Sequence, residues 1–141
     1  MDHSVRSRVS AYAVVTADAH LLLTRLAASS PVFEPGLWHL PGGGIDPGEQ
    51  PDAALGRELW EETGLELASA PRLALARSYA ATRLGVTWHL VGLFYRAEVA
   101  PGSLRVTKPD DSTSEVAWLP LADLSPSMLS PAAVDALDLL D

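Results

Sequence analysis

Apolar and polar positions divide the chain into short blocks. Residues 8 to 18, RVSAYAVVTAD, read as a strand running into a turn, and residues 20 to 26, HLLLTRL, read as its hairpin partner across Ala17, Asp18 and Ala19. The Ser-, Pro- and Gly-rich AASSPVFEPG is a predicted loop. LWHL follows as a short strand, cut off by Pro41 and the glycines at 42 to 44, and IDPGEQ is again a loop. Pro51 suits a first helical turn and Gly64 suits a left-handed terminus, which predicts a helix from Pro51 to Thr63. Downstream, RLALARSYA and VTWHLVGLFYRAEV are β-rich. A last strand, EVAWLP, comes after the loop APGSLRVTKPDDSTS. A C-terminal helix begins at Pro131, with Val134, Leu137 and Leu140 as its apolar stripe. Strands outnumber helices without regular alternation, so the expected fold class is α/β, a mixed sheet flanked by helices in one domain over residues 1 to 141.

The helix at 51 to 63 carries an unusual charge pattern. Glu58, Glu61 and Glu62 fall at i, i+3 and i+4, on one arc beside the narrow stripe of Leu55 and Leu59. Arg57 faces Glu61 at i, i+4, but such a pair contributes only about 0.3 to 0.5 kcal/mol on an exposed helix. Two of the acids also sit at the helix C-terminal end, where the macrodipole disfavours negative charge. Two readings follow. The arc is a solvated charged face, or it is a cation site, in which case the all-oxygen donor set selects a hard ion such as Mg²⁺ or Mn²⁺. The glycine-dense loop PGGGIDPGE entering the helix lets backbone approach a ligand closely and turn carbonyls toward a cation.

Composition narrows the ligand. The 141 residues include no cysteine, which excludes disulfides and thiolate metal sites. A net charge of −8 with one lysine, Lys108, argues against a nucleic-acid polymer as partner, while a small anionic ligand is compatible if a metal bridges the repulsion. The first ten residues, MDHSVRSRVS, do not read as a signal peptide and no stretch approaches a membrane span, so the expectation is a soluble cytoplasmic protein without a membrane partner.

The stretch GGIDPGEQPDAALGRELWEETGL, Gly43 to Leu65, resembles the signature of the Nudix hydrolase family, G-x5-E-x7-R-E-U-x-E-E-x-G-U with U a bulky aliphatic residue. Gly43, Glu49, Arg57, Glu58, Leu59, Glu61, Glu62, Gly64 and Leu65 occupy every fixed position. The resemblance implies an α/β/α sandwich around a mixed sheet. It also implies Mg²⁺- or Mn²⁺-dependent hydrolysis of a nucleoside diphosphate linked to another moiety. Glu58, Glu61 and Glu62 would hold metal with the Gly42 carbonyl, and Arg57 and Glu49 would orient the carboxylates. The family usually needs one more carboxylate. Glu115, at the start of the last strand, is the candidate for metal ligand or general base, with Asp110 and Asp111 as rivals; Glu58 is equally a candidate base.

For the substrate, a small phosphorylated nucleotide, the candidate contacts are Gly43, Arg25 and Trp38. Phe33, Tyr79 and Trp88 are further aromatic surfaces for stacking. Leu26 follows Arg25 where triphosphate-cleansing relatives can carry a second basic residue. The alternative class is a Nudix-like sensor that binds without cleaving; such domains commonly lose box acids, and this box has all of them. A related isomerase chemistry relies on a cysteine that this chain lacks. The chain is compatible with a monomer or homodimer, the C-terminal stripe being expected to pack on its own sheet.

Overall fold

The computed structural model describes residues 5 to 107 and 113 to 140. Two four-stranded sheets share the centre of the molecule. In the first, β1 (Val5–Val14) lies between β5 (Gly42–Gly44), antiparallel to it, and β7 (Val86–Arg96), parallel to it; β6 (Arg72–Arg83) pairs antiparallel with β7 at the far edge. In the second, β3 (His20–Leu26) pairs antiparallel with β2 (Thr16–Ala17), β4 (Trp38–His39) and β8 (Thr113–Pro120). The helices are α1 (Pro51–Thr63) and α2 (Pro131–Leu137). The expected mixed sheet with flanking helices is present.

The chain crosses from one sheet to the other within a single residue. The Val14 carbonyl accepts from Ala97, beyond β7, whereas the Val15 carbonyl accepts from Leu22 on β3. The expected hairpin partner of β3 is therefore only β2, and β1 is committed to β5 and β7. Its long apolar run has the composition of a strand covered on both faces. Tyr12 and Val14 pack with Leu21, Leu23, Phe94 and the α2 alanines Ala132, Ala133 and Ala136. Ala11, Ala13 and Val15 pack with Leu22, Leu55 and Leu59 on the α1 side. Alternation along one strand thus feeds two cores, one beneath each helix.

Two further expectations are revised. The glycines at 42 to 44 do not merely interrupt a strand: they are β5, registered Ser10↔Gly44, Ala11↔Gly43 and Tyr12↔Gly42. Gly42, at φ 143°, could carry no side chain, because a Cβ there would lie 2.0 Å from the Ala11 carbonyl oxygen. The C-terminal helix stops at Leu137 and buries Ala132, Ala133 and Ala136 fully, with Val134, Leu137 and Leu140 packed half-buried at the rim of the same core. The stripe does pack on its own sheet, but the alanines form its centre because small residues let the helix approach closely. Among the described residues no helix is long and apolar enough to cross a membrane.

Both ends of α1 are held. Pro51 occupies the first turn, and Gly64 closes the other end at φ 75° with its N–H on the Trp60 carbonyl. The segment after Pro101 returns to satisfy the remaining carbonyls: Arg105 N–H donates to Thr63 O and Thr107 N–H to Glu61 O. These bonds fix the last turn, which carries two of the three clustered glutamates.

Candidate active site

The helix does not present its glutamates to open water. Glu61 and Glu62 are 8% and 5% exposed, and the Glu58 side chain 14%. All three face the β5 backbone or the guanidinium beside it. Glu62 is fixed by two short bonds: Oε1 accepts from the Gly42 N–H at 2.7 Å and Oε2 from the Thr113 hydroxyl at 2.6 Å. Glu58 lies against Gly43, where a Cβ would stand 2.8 to 2.9 Å from all three carboxyl atoms. A glycine is needed at 43 because the carboxylate occupies the side-chain position.

Arg57 ties the loop to the helix. Its Nε and Nη2 donate to the two oxygens of Glu49 at 2.8 and 2.9 Å, a bidentate fork. Nη1 donates to Glu58 at 2.9 Å and lies 3.5 Å from Glu61. Nη2 also lies 3.6 Å from Asp46 and donates to the Gly44 carbonyl at 3.3 Å. Four carboxylates thus share one guanidinium. The fork, with the Asp46 N–H that Glu49 also accepts, lowers the Glu49 pKa to about 2; the same fork, with Glu58 adding its charge, raises that of Arg57.

Beyond β5 lie Tyr12 and His39, ring centroids 4.8 Å apart and edge to face. Burial pushes the Tyr12 phenol up to about 12, the nearby charges of Glu62 and Glu58 adding to the rise and Ser10 and Arg8 opposing it. Burial, with Arg8 adding to it, takes His39 down to about 3. His39 is therefore neutral at physiological pH, with Nδ1 2.6 Å from the Ser130 hydroxyl that caps α2.

The residues singled out in the sequence fall into two groups. Glu49, Arg57, Glu58, Glu61, Glu62, Gly42 and Gly43 are brought together. Arg25, Trp38 and Glu115 form a separate cluster where β3 runs between β4 and β8: Arg25 is registered with both partners, 3.3 Å from Glu115 and with its guanidinium carbon 5.9 Å from the Trp38 ring centroid. A bulge at Ser114 separates Thr113, buried opposite Leu26 and bonded to Glu62, from Glu115, exposed opposite Arg25. The strand thus brings Thr113, rather than Glu115, to the α1 carboxylates. Phe33 is buried against His39 and Tyr79, and Tyr79 donates to Asp135 at 2.6 Å, so both serve packing. Trp88 packs at the rim of the same core. Asp110 and Asp111 lie outside the described residues. Thr113 and Asp46 carried no sequence signal beyond their place in polar loops.

The donor set suits a hard divalent cation: carboxylate oxygens from Glu58, Glu61 and Glu62 beside the backbone of Gly42, with no sulfur or imidazole among them. Among the described residues no three acidic or histidine side chains stand in ready ligand geometry. In this arrangement Arg57 bonds Glu58 and lies 3.5 Å from Glu61, while Gly42 and Thr113 bond Glu62.

A family model described as the NUDIX domain matches residues 6 to 140. The chain belongs to the Nudix family. The names of its relatives support a pyrophosphohydrolase of MutT-like kind: the chain is 32% identical to a MutT-like protein of Streptomyces ambofaciens over 128 residues, 91% of this chain and 73% of that one. Over 63 residues it is 41% identical to the nucleoside triphosphatase NudI of Salmonella agona, a match spanning 45% of this chain and 44% of NudI. The crystal structure of a MutT NUDIX hydrolase from Burkholderia pseudomallei superposes with TM-score 0.80 at 32% identity, covering 96% of this chain and 99% of that one. The NUDIX domain of Shewanella oneidensis NrtR, solved with ADP ribose, superposes with TM-score 0.70 at 27% identity, covering 96% and 84%.

Proposed function

We propose that this Nudix domain hydrolyses the diphosphate bond of a nucleoside diphosphate bearing a further group, with Mg²⁺ or Mn²⁺ held by Glu58, Glu61, Glu62 and the Gly42 carbonyl. The supporting observation is the convergence of two buried glutamates, Glu61 and Glu62, and the half-buried Glu58 on a side-chain-free strand, tied there by Arg57, Gly42 and Thr113. When bound, the cation neutralises phosphate charge and lowers the pKa of a water. The chain's own residues supply position. Arg57 and Glu49 lock the entering loop onto the helix, so that Glu58 and Glu61 are presented from a rigid element. Glu58, packed on Gly43, is the proposed base that takes the proton of the attacking water. Glu115 is engaged by Arg25, and that pair with Trp38 forms the proposed flank for the substrate outside its diphosphate.

The similarity to NudI supports a nucleoside triphosphate, and that to the NrtR domain an ADP-ribose-type compound. The NrtR domain, solved with ADP ribose in place, also supports a second reading, binding without cleavage. The test is a Mg²⁺-dependent hydrolysis screen over nucleoside triphosphates, ADP-ribose, dinucleotides and nucleotide sugars, run beside Glu62→Gln. That variant keeps both bonds, since Thr113 can rotate its hydroxyl to accept from the amide. Turnover lost in a variant that melts like the wild type supports hydrolysis. Ligand-induced stabilisation with no turnover on any class supports the sensor.

A further inference from the structure

A cavity of about 40 Å³ opens beside β5. Arg8, Ser10 and Tyr12, every second residue of β1, line it with Phe33, His39 and Glu62. It is sized for about three water molecules and is far below the roughly 300 Å³ that a nucleoside-sized ligand needs. What fits is a small polar group. Arg8 is the one guanidinium or ammonium among the described residues that line it. Its guanidinium covers Gly44, where a Cβ would come within 3.1 to 3.2 Å of it.

Other described cations near the box are engaged: Arg57 with four carboxylates, Arg25 with Glu115, and Arg105 over the Trp60 ring at 5.6 Å. Arg8 has no ion pair among the described residues, and its one hydrogen bond there is from Nε to the Ser10 hydroxyl at 3.3 Å. Arg8 is half-buried beside a cavity that Glu62 also lines. The Tyr12 phenol lies close enough to feel the charges of Arg8, Glu62 and Glu58, Arg8 opposing the rise in its pKa and the two acids adding to it.

We propose that Arg8 is a substrate-binding residue that receives phosphoryl oxygens next to the scissile diphosphate, displacing the water this small cavity would hold. This rests on the diphosphate-hydrolysis reading for its substrate, but not for its test. A guanidinium fork matches two phosphoryl oxygens and recognises a phosphate rather than a base or sugar. Nucleotides are therefore selected by their phosphate, and the uncharged nucleoside gains nothing from Arg8.

The variants are Arg8→Gln and Arg8→Met, which remove the charge, the second keeping the stem over Gly44, with Arg8→Lys as rescue. In either neutral variant KM for the hydrolysed nucleotide is expected to rise about ten- to hundredfold, the size of a lost charge-assisted hydrogen bond. The value of kcat should stay within about threefold, and Lys should recover part of the loss. Independently of turnover, inorganic pyrophosphate in chelator is expected to raise the melting temperature of the wild type and not of the neutral variants, and a nucleoside to raise neither. If hydrolysis that requires Glu62 proceeds at wild-type KM in a folded neutral variant, and pyrophosphate stabilises it equally, the Arg8 proposal falls while hydrolysis stands. If the wild type cleaves nothing yet is stabilised by pyrophosphate through Arg8, the proposal stands and the hydrolysis reading falls.

Discussion

Gly43→Ala tests whether the close approach of Glu58 to the glycine strand serves the chemistry. The backbone at 43 lies outside the left-handed region, so alanine adds no torsional strain; the perturbation is a single methyl group. That methyl would stand 2.8 Å from Glu58 Cδ, and the carboxyl group must retreat by about 0.6 Å to reach an ordinary contact of 3.4 Å. Because the obstructing atoms are the end of a side chain, the retreat costs about 1 kcal/mol of rotamer strain, partly offset by replacing a strand glycine. For a chain of this size that is a melting shift of only about 2 to 4 °C. The same displacement at a group that must meet substrate within a fraction of an ångström costs about a hundredfold in rate. The assay is kcat with saturating Mg²⁺ and nucleotide, alongside thermal melting of both proteins. Activity within about threefold of wild type would refute the claim that the Glu58 position limits the reaction. A melting temperature lower by about 10 °C or more would refute the claim that the glycine serves the site rather than the packing.

Gly56→Ala, in the middle of α1, meets only Leu67 Cδ1 at 3.6 Å, so it is expected to raise unfolding free energy by about 0.5 to 1 kcal/mol without changing KM, read by urea denaturation and kinetics. His39 is held neutral in the fold with a pKa of about 3 against 6.5 unfolded, so the unfolded chain binds more protons between those values and stability falls as pH drops from 6.5 toward 3. Urea unfolding at pH 7 and pH 5 should show the wild type losing about 2 kcal/mol more than His39→Phe does; parallel losses would place the acid sensitivity elsewhere.

Local signals were legible and pairings were not. The helix Pro51–Thr63 follows from a proline and a glycine at its own ends, and its glutamates from spacing alone. Spacing left open whether that arc met water or ligand. The answer depended on β5, Thr113 and the 101-to-107 segment, which reach α1 from distant parts of the chain. Adjacency in sequence suggested that β1 and β3 form a hairpin, whereas β1 pairs with β7, more than seventy residues away. The three glycines read as an interruption because glycine is poor in strands, and only the neighbouring atoms at Gly42 and Gly43 show why no side chain fits. Arg8 looked like one more polar residue near the start. Its alternation with Ser10 and Tyr12 on one face is the signal that points to it.

A strand of three glycines at the edge of a sheet is a septum one backbone thick. On one side of it stands the Glu58 carboxylate, in the space a side chain of residue 43 would fill, and on the other the Arg8 guanidinium, in the space of residue 44. The acid and the base thus stand on opposite faces of one strand, and Glu58 is already paired with Arg57 on its own face. A ligand reaching around the open edge of that wall would meet carboxylates on one face and a guanidinium on the other, one peptide unit apart. Any residue larger than glycine at either position would thicken the wall and push Glu58 or Arg8 away from it.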